Sequence, residues 1–207
     1  MDEDFAGFLE DFGPAIETRH VPQSSVERYR GKLPDQLLTY WCEQGWCGYA
    51  DGLFWTVNPQ EYEPVLQAWI GETPFMQQDA YHIIARSAFG DLYFWGEKTG
   101  SSLHVFAPGA FCIPEESLSV AEDMNFEMQL FFGALDREGN DFENMFTPAL
   151  RRLGRIKYDE MYGFVPALAL GGASSVDHLE RVKAVEHLVM LAQLAPLRVI
   201  TSPFAGD

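Results

Sequence analysis

The chain has 207 residues, 47% of them hydrophobic and 14% aromatic, and its 14 basic and 31 acidic side chains leave a formal net charge of -17. That apolar content excludes wholesale disorder, and the length fits one large domain or two small ones. A surface this negative repels phosphate backbones and anionic lipid and attracts basic partners, which argues against direct nucleic-acid binding and against a membrane role.

The acidic start Met1-Asp2-Glu3-Asp4 lacks the positive charge that precedes the apolar run of a signal peptide. No segment approaches the ~18 consecutive apolar residues of a membrane span. Cys42, Cys47 and Cys112 are too few for a disulfide scaffold, so a reduced cytoplasm is the expected location.

Phe5, Phe8, Leu9 and Phe12 recur at helical spacing and Gly13-Pro14 ends that helix, after which the segment to Lys32 reads as polar and irregular. Leu33-Pro34-Asp35 opens a second helix through Leu37, Leu38 and Trp41, stopping near Gly45. Asp51-Gly52 lies between two aromatic runs and predicts a hairpin with a type I′ turn. A further helix carries Tyr62, Val65, Leu66, Trp69 and Ile70, with Pro64 placing its regular part after a one-turn lead-in.

Ala80 to Phe106 holds three β-branched and aromatic runs divided by glycine-bearing turns, which predicts three successive antiparallel strands. The middle run, Leu92-Tyr93-Phe94-Trp95, lacks polar alternation and should be covered on both faces. Ala110 to Ile113 follows the Pro108-Gly109 turn. Ser119-Val120-Ala121-Glu122 matches a capping box that opens a helix through Met124, Met128, Phe131 and Phe132 to Gly133. An exposed acidic turn spans 135–141, and a helix over Phe142–Leu153 follows it, starting or breaking at Pro148. Tyr162 to Gly172 reads as irregular buried connection, and a last helix as running from about Ser175 to before Pro196. The fold class is α+β: a central antiparallel sheet, a meander of about four strands plus a hairpin, flanked by helices, with a helical C-terminal lobe. The expected division is 1–115 and 116–207.

The chemistry is sparse. His82 and His104 lie on strands with Glu97 in the loop between them, an imaginable proton-transfer set for a small hydrolase or nucleotide-binding enzyme, yet no third catalytic group accompanies them. His178 and His187 are nine apart, which is not a metal-ligand spacing on a helix. Cys42 and Cys47 read as buried thiols. No Walker loop, dinucleotide fingerprint or nucleophile elbow is present. The expectation is therefore no catalytic, cofactor or metal residue. The basic cluster Arg151, Arg152, Arg155 and Lys157 should pair with Asp159, Glu160 or the acidic turn.

Several stretches resemble one family. Leu33-Pro34 through Trp41, Gly45-Trp46, Asp51 to Trp55, Asn58 to Tyr62 and Ala88 to Gly96 look like the GAD-like domain of type VI secretion immunity proteins. Gly139 through Leu150, Leu153-Gly154 and Asp159 through Leu168 are similar to its usual C-terminal partner domain. The resemblance implies a cytoplasmic protein that binds and neutralises a cognate antibacterial toxin, in the best-known cases a DNase. It implies no catalytic residues.

The charge agrees, because a nuclease must be basic where it grips phosphate. The partner is expected to be a basic toxin domain, bound by a monomer. The expected contacts are Asp136, Glu138, Asp141 and Glu143 in one turn, with Asp159 and Glu160 beyond the next helix. A cytoplasmic adaptor without a toxin partner is the other non-enzyme alternative.

Overall fold

The computed structural model describes residues 2–114 and 123–200. Helix α1 (Glu3–Phe12) buries Phe5, Phe8 and Phe12, and Asp2 caps it by accepting the Phe5 amide at 3.0 Å. The segment to Lys32 is more ordered than its polarity suggested. It forms strand β1 (Ile16–Arg19) and helix α2 (Gln23–Tyr29). An edge strand has little apolar alternation to betray it, and β1 pairs with its neighbour through an irregular register between Ile16 and Arg19.

Helix α3 (Asp35–Gln44) begins and ends as the sequence predicts. Strands β2 (Trp46–Tyr49) and β3 (Phe54–Thr56) form the hairpin, but its turn is longer than a two-residue type I′. Ala50, Asp51 and Gly52 all take positive φ in a short 3-10 turn closed by the Leu53 amide on the Ala50 carbonyl. Helix α4 (Glu63–Ile70) follows a one-turn lead-in, with Pro64 inside its first turn where no amide is needed. A short α5 (Phe75–Gln78) leads into the meander β4 (Tyr81–Ser87), β5 (Asp91–Gly96), β6 (Gly100–Phe106) and β7 (Phe111–Pro114).

Among the described residues, eight strands make one sheet in the order β1-β2-β3-β4-β5-β6-β7 and then β10 (Arg198–Val199), which is the one parallel neighbour. The sheet is thus larger than the meander and hairpin expected. Successive side chains of β3 point to opposite faces and show what covers each. Phe54 meets Phe8 and Phe12 of α1, whereas Trp55 lies beside the Arg86 guanidinium.

On the Phe54 face α1 packs against α6 (Met124–Ala134), whose Phe132 meets Phe5, Phe8 and Tyr40. The predicted capping box at 119–122 lies outside the described residues. Asp123 caps α6 by accepting the Asn125 and Phe126 amides, and the helix ends one residue beyond Gly133.

Past a short α7 (Arg137–Asn140), helix α8 runs Phe146–Leu153, and Asp141 accepts the Phe146 amide at 2.8 Å. The remainder departs most from the sequence reading. Tyr162 to Phe164 belongs to strand β8 (Glu160–Phe164), paired with β9 (Leu179–Lys183), and the last helix, α9 (Ala184–Leu194), starts nine residues later than expected. Leu179, Val182 and Val185 are spaced by three, so a strand running into a helix copied the period of one longer helix.

The two ends of the chain share one core. Trp69 of α4 donates its indole N–H to the Leu188 carbonyl of α9 at 3.1 Å, and the Tyr162 amide donates to the Ala88 carbonyl at 2.9 Å. Gly90, in the β4–β5 turn at φ +95°, makes this docking possible: a Cβ there would stand 2.6 Å from the Met161 methyl and 3.0 Å from Leu188.

Candidate functional site

The strand histidines do not converge. His82 on β4 pairs with Glu97 through Nε2 at 2.9 Å and packs edge-on to Tyr29. His104 on β6 is separated from it by β5 and stacks on Tyr93, centroids 4.3 Å apart, with Phe106 on its other side at 4.1 Å. Burial pulls its pKa down to about 4, so the ring is neutral at physiological pH, and its buried Nε2 has no hydrogen-bond partner among the described residues. Among the described residues no group of three or more His, Cys, Asp or Glu is placed to hold a metal ion. Cys47 and Cys112 are buried free thiols, but Cys42 is exposed, on the outer side of α3. Among the described residues no helix is long and apolar enough to cross a membrane.

His104 lines a cavity of about 710 Å³ between the sheet and α6–α7. Tyr93, His104 and Phe106 form its sheet side, Leu130 and Phe131 its helix side, and Asp4, Glu127 and Asp136 bring carboxylates to it. Neither His82 nor Glu97 reaches it. Two features hold it open. Gly100, at φ +64°, has no side chain where a Cβ would fall 2.0 Å from Glu127 Oε1, which instead accepts the Ser101 amide at 2.7 Å. The Tyr93 hydroxyl donates to Asn140 Oδ1 at 2.9 Å, and Asn140 in turn donates to the Asp136 carbonyl, so α7 is tied to the sheet.

The six acidic residues singled out from the sequence have different surroundings. Asp136 accepts the Gly139 amide at 2.6 Å and Glu138 is exposed. Asp141 is half-buried, which raises its pKa although it caps α8. Glu143 takes φ +50° and accepts the Ser174 hydroxyl. Asp159 pairs with Lys183, which holds its carboxyl below the usual range, and Glu160 accepts the Lys157 amide at 3.1 Å.

The basic cluster is distributed differently from the expectation. Arg155 pairs with Asp51 of the hairpin turn, and Arg152 donates to the carbonyls of Val176, Asp177 and Leu179. Long-range packing supplied partners that chain proximity could not indicate.

Three polar residues escaped the sequence reading. Arg86 is fully buried, donating to the Tyr62 hydroxyl and to the carbonyls of Ser87, Tyr158 and Glu160, and it thereby ties β4 to the segment entering β8. Its signal was a charge inside the apolar run Ile83-Ile84-Ala85. Asp79 accepts the amides of Ala80, Lys98 and Thr99 and the Thr99 hydroxyl; burial alone would raise its pKa, and these four donors outweigh it. Asp91 is buried with the Ser87 hydroxyl as donor, and burial raises its pKa to about 7. Nothing local in the sequence separates these two from ordinary turn aspartates.

Comparison with known proteins places both halves. Residues 3–109 match the GAD-like domain, and residues 125–195 match the C-terminal domain of the T6SS immunity protein Tdi1. No curated protein matches the sequence. The crystal structure of Atu4351 from Agrobacterium tumefaciens has the same fold, with TM-score 0.87 at 20% identity over 97% of this chain and 94% of that one. The chain therefore belongs to the family of proteins that join a GAD-like domain to a Tdi1-type T6SS immunity domain.

Proposed function

We propose that this protein neutralises a cognate type VI secreted antibacterial toxin, a DNase, by stoichiometric binding. The observation that carries the reading is the Tdi1-type domain over 125–195, joined to a GAD-like domain on a chain of net charge -17. Acidic groups speed association with a basic nuclease and apolar anchors slow dissociation. The chain acts as a non-catalytic monomer in the cytoplasm and leaves nucleic acid to its partner. It works as one unit of two lobes, 1–115 and 116–207, and the acidic residues 136–143 with Asp159 and Glu160 face the toxin.

The test titrates this protein into a plasmid-cleavage assay of its cognate effector domain. The expected result is complete protection at one equivalent, with an association rate that falls as salt rises. Continued cleavage under excess protein would overturn the reading.

A further inference from the structure

Among the described residues the large sheet has two outer strands, β1 and β10, and its two ends are closed in different ways. A free strand edge presents a row of unpaired amides and carbonyls that another chain can pair with. Folded proteins blunt such edges with charge, irregular backbone or a covering segment. β1 carries its own protection. Its register with β2 is interrupted between Ile16 and Arg19, Glu17 takes φ +51°, and Glu17 and Arg19 bring charge to the edge.

β7 has none of these features. It reads Phe111-Cys112-Ile113-Pro114, without a charged residue, and it pairs with β6 without a register shift. Its outer edge is covered by β10. The Arg198 amide donates to the Ala110 carbonyl at 3.0 Å and the Ile200 amide to the Cys112 carbonyl at 2.9 Å. The Arg198 guanidinium adds a bond to the Gly109 carbonyl at 3.0 Å. The segment that makes these bonds is a two-residue strand, exposed along its length, with Val199 at 54% and Ile200 at 42% exposure. Opening it therefore gives up little apolar burial.

We propose that residues 198–200 are a guard strap for the edge of β7, and that a second copy of this chain pairs with that edge when the strap is lifted. An uncharged edge attracts neither an acidic nor a basic segment, whereas a second β7 offers the same unpaired groups and a two-fold axis makes the contact self-complementary. The net charge of -17 is a second restraint, because it makes copies repel one another at a distance.

The test compares the wild type with the double variant Arg198→Pro/Ile200→Pro, which lacks both backbone donors. Sedimentation across a wide concentration range reads the association state, and thermal unfolding verifies that the variant is folded. The variant should dimerise at concentrations about tenfold or more below any at which the wild type does. Raising salt from about 0.15 M to about 1 M cuts the screening length from about 8 Å to about 3 Å and should strengthen the dimer further. Adding Ile113→Lys to the double variant should return it to monomer, because lysine on an edge strand opposes pairing.

Hydrogen exchange of the wild type serves if the double variant does not fold. The Arg198 and Ile200 amides should exchange by local opening about a hundredfold or more faster than those of β5. Protection equal to that of β5 would show a strap that does not lift and would overturn the proposal. So would a folded double variant that associates no more strongly than the wild type, or a dimer indifferent to Ile113→Lys.

Discussion

Acidic side chains around β4 and β5 are consumed by the fold, whereas those between α6 and β8 stay near the surface. Asp79 collects four donors and shapes the turn from Gly96 to Gly100. Asp91 lies at 5% exposure beneath Ser87. Glu138 and Glu143 are exposed, and Asp159 meets an exposed lysine. The same residue types therefore serve two purposes. In the first region a carboxylate replaces backbone partners that a turn leaves unsatisfied. In the second it contributes to the negative field around the surface.

The contrast is broken most severely at Arg86. Arg86→Met would keep much of the volume but strand three carbonyls and the Tyr62 hydroxyl, and should cost about 3–5 kcal/mol. Thermal unfolding should fall by roughly 8–15 °C. A shift of one or two degrees would show that water replaces the guanidinium and that the two ends of the chain are not tied there.

Asp91 gives a pH dependence of defined sign. Its folded pKa of about 7 exceeds the ordinary 3.8, so the native state holds a proton that the unfolded chain has lost between those values. Stability from this group is therefore complete below pH 4 and is lost as pH rises toward and through 7, by at most about 4 kcal/mol. Denaturant titrations at pH 5 and pH 8.5, compared with Asp91→Asn, isolate the effect. The variant should lose most of the difference, and an equal pH slope in both proteins would show that Asp91 is ionised in the fold.

Asp79→Ala should cost about 1–3 kcal/mol, because three amides and a hydroxyl lose their acceptor. Hydrogen exchange at Lys98 and Thr99 would report it locally, and unchanged protection there would remove Asp79 from the first class.

The smallest stability effect is expected at Glu138. Glu138→Lys should change stability by no more than ~0.5 kcal/mol, while binding to the toxin domain should weaken through like-charge contact if the turn faces it. Asp136 and Asp141 are poorer probes, since both carboxylates hold helix-capping amides and lysine there would cost about 1 kcal/mol each. A Glu138→Lys protein with wild-type affinity at low salt would place the interface elsewhere.

The local elements were legible because short-range physics decides them. Phe5, Phe8 and Phe12 can share a buried face only on a helix, and the aromatic runs from Ala80 to Phe106 can bury both faces only as strands in a covered sheet. The net charge was likewise readable.

Tertiary structure alone decided the rest. β1 and β9 are strands because β2 and β8 offer them backbone partners, a fact that no side-chain period records. The partner of Arg155 is 104 residues away at Asp51, and Arg86 reaches carbonyls more than 70 residues distant. The cavity arises in the same way. Tyr93, His104 and Glu127 come from three elements and Asp136 from the residue before α7, and only the packing of α6 and α7 over the sheet brings them around one space. Hydrophobic periodicity is a property of neighbours in the chain, whereas a binding surface is a property of neighbours in space.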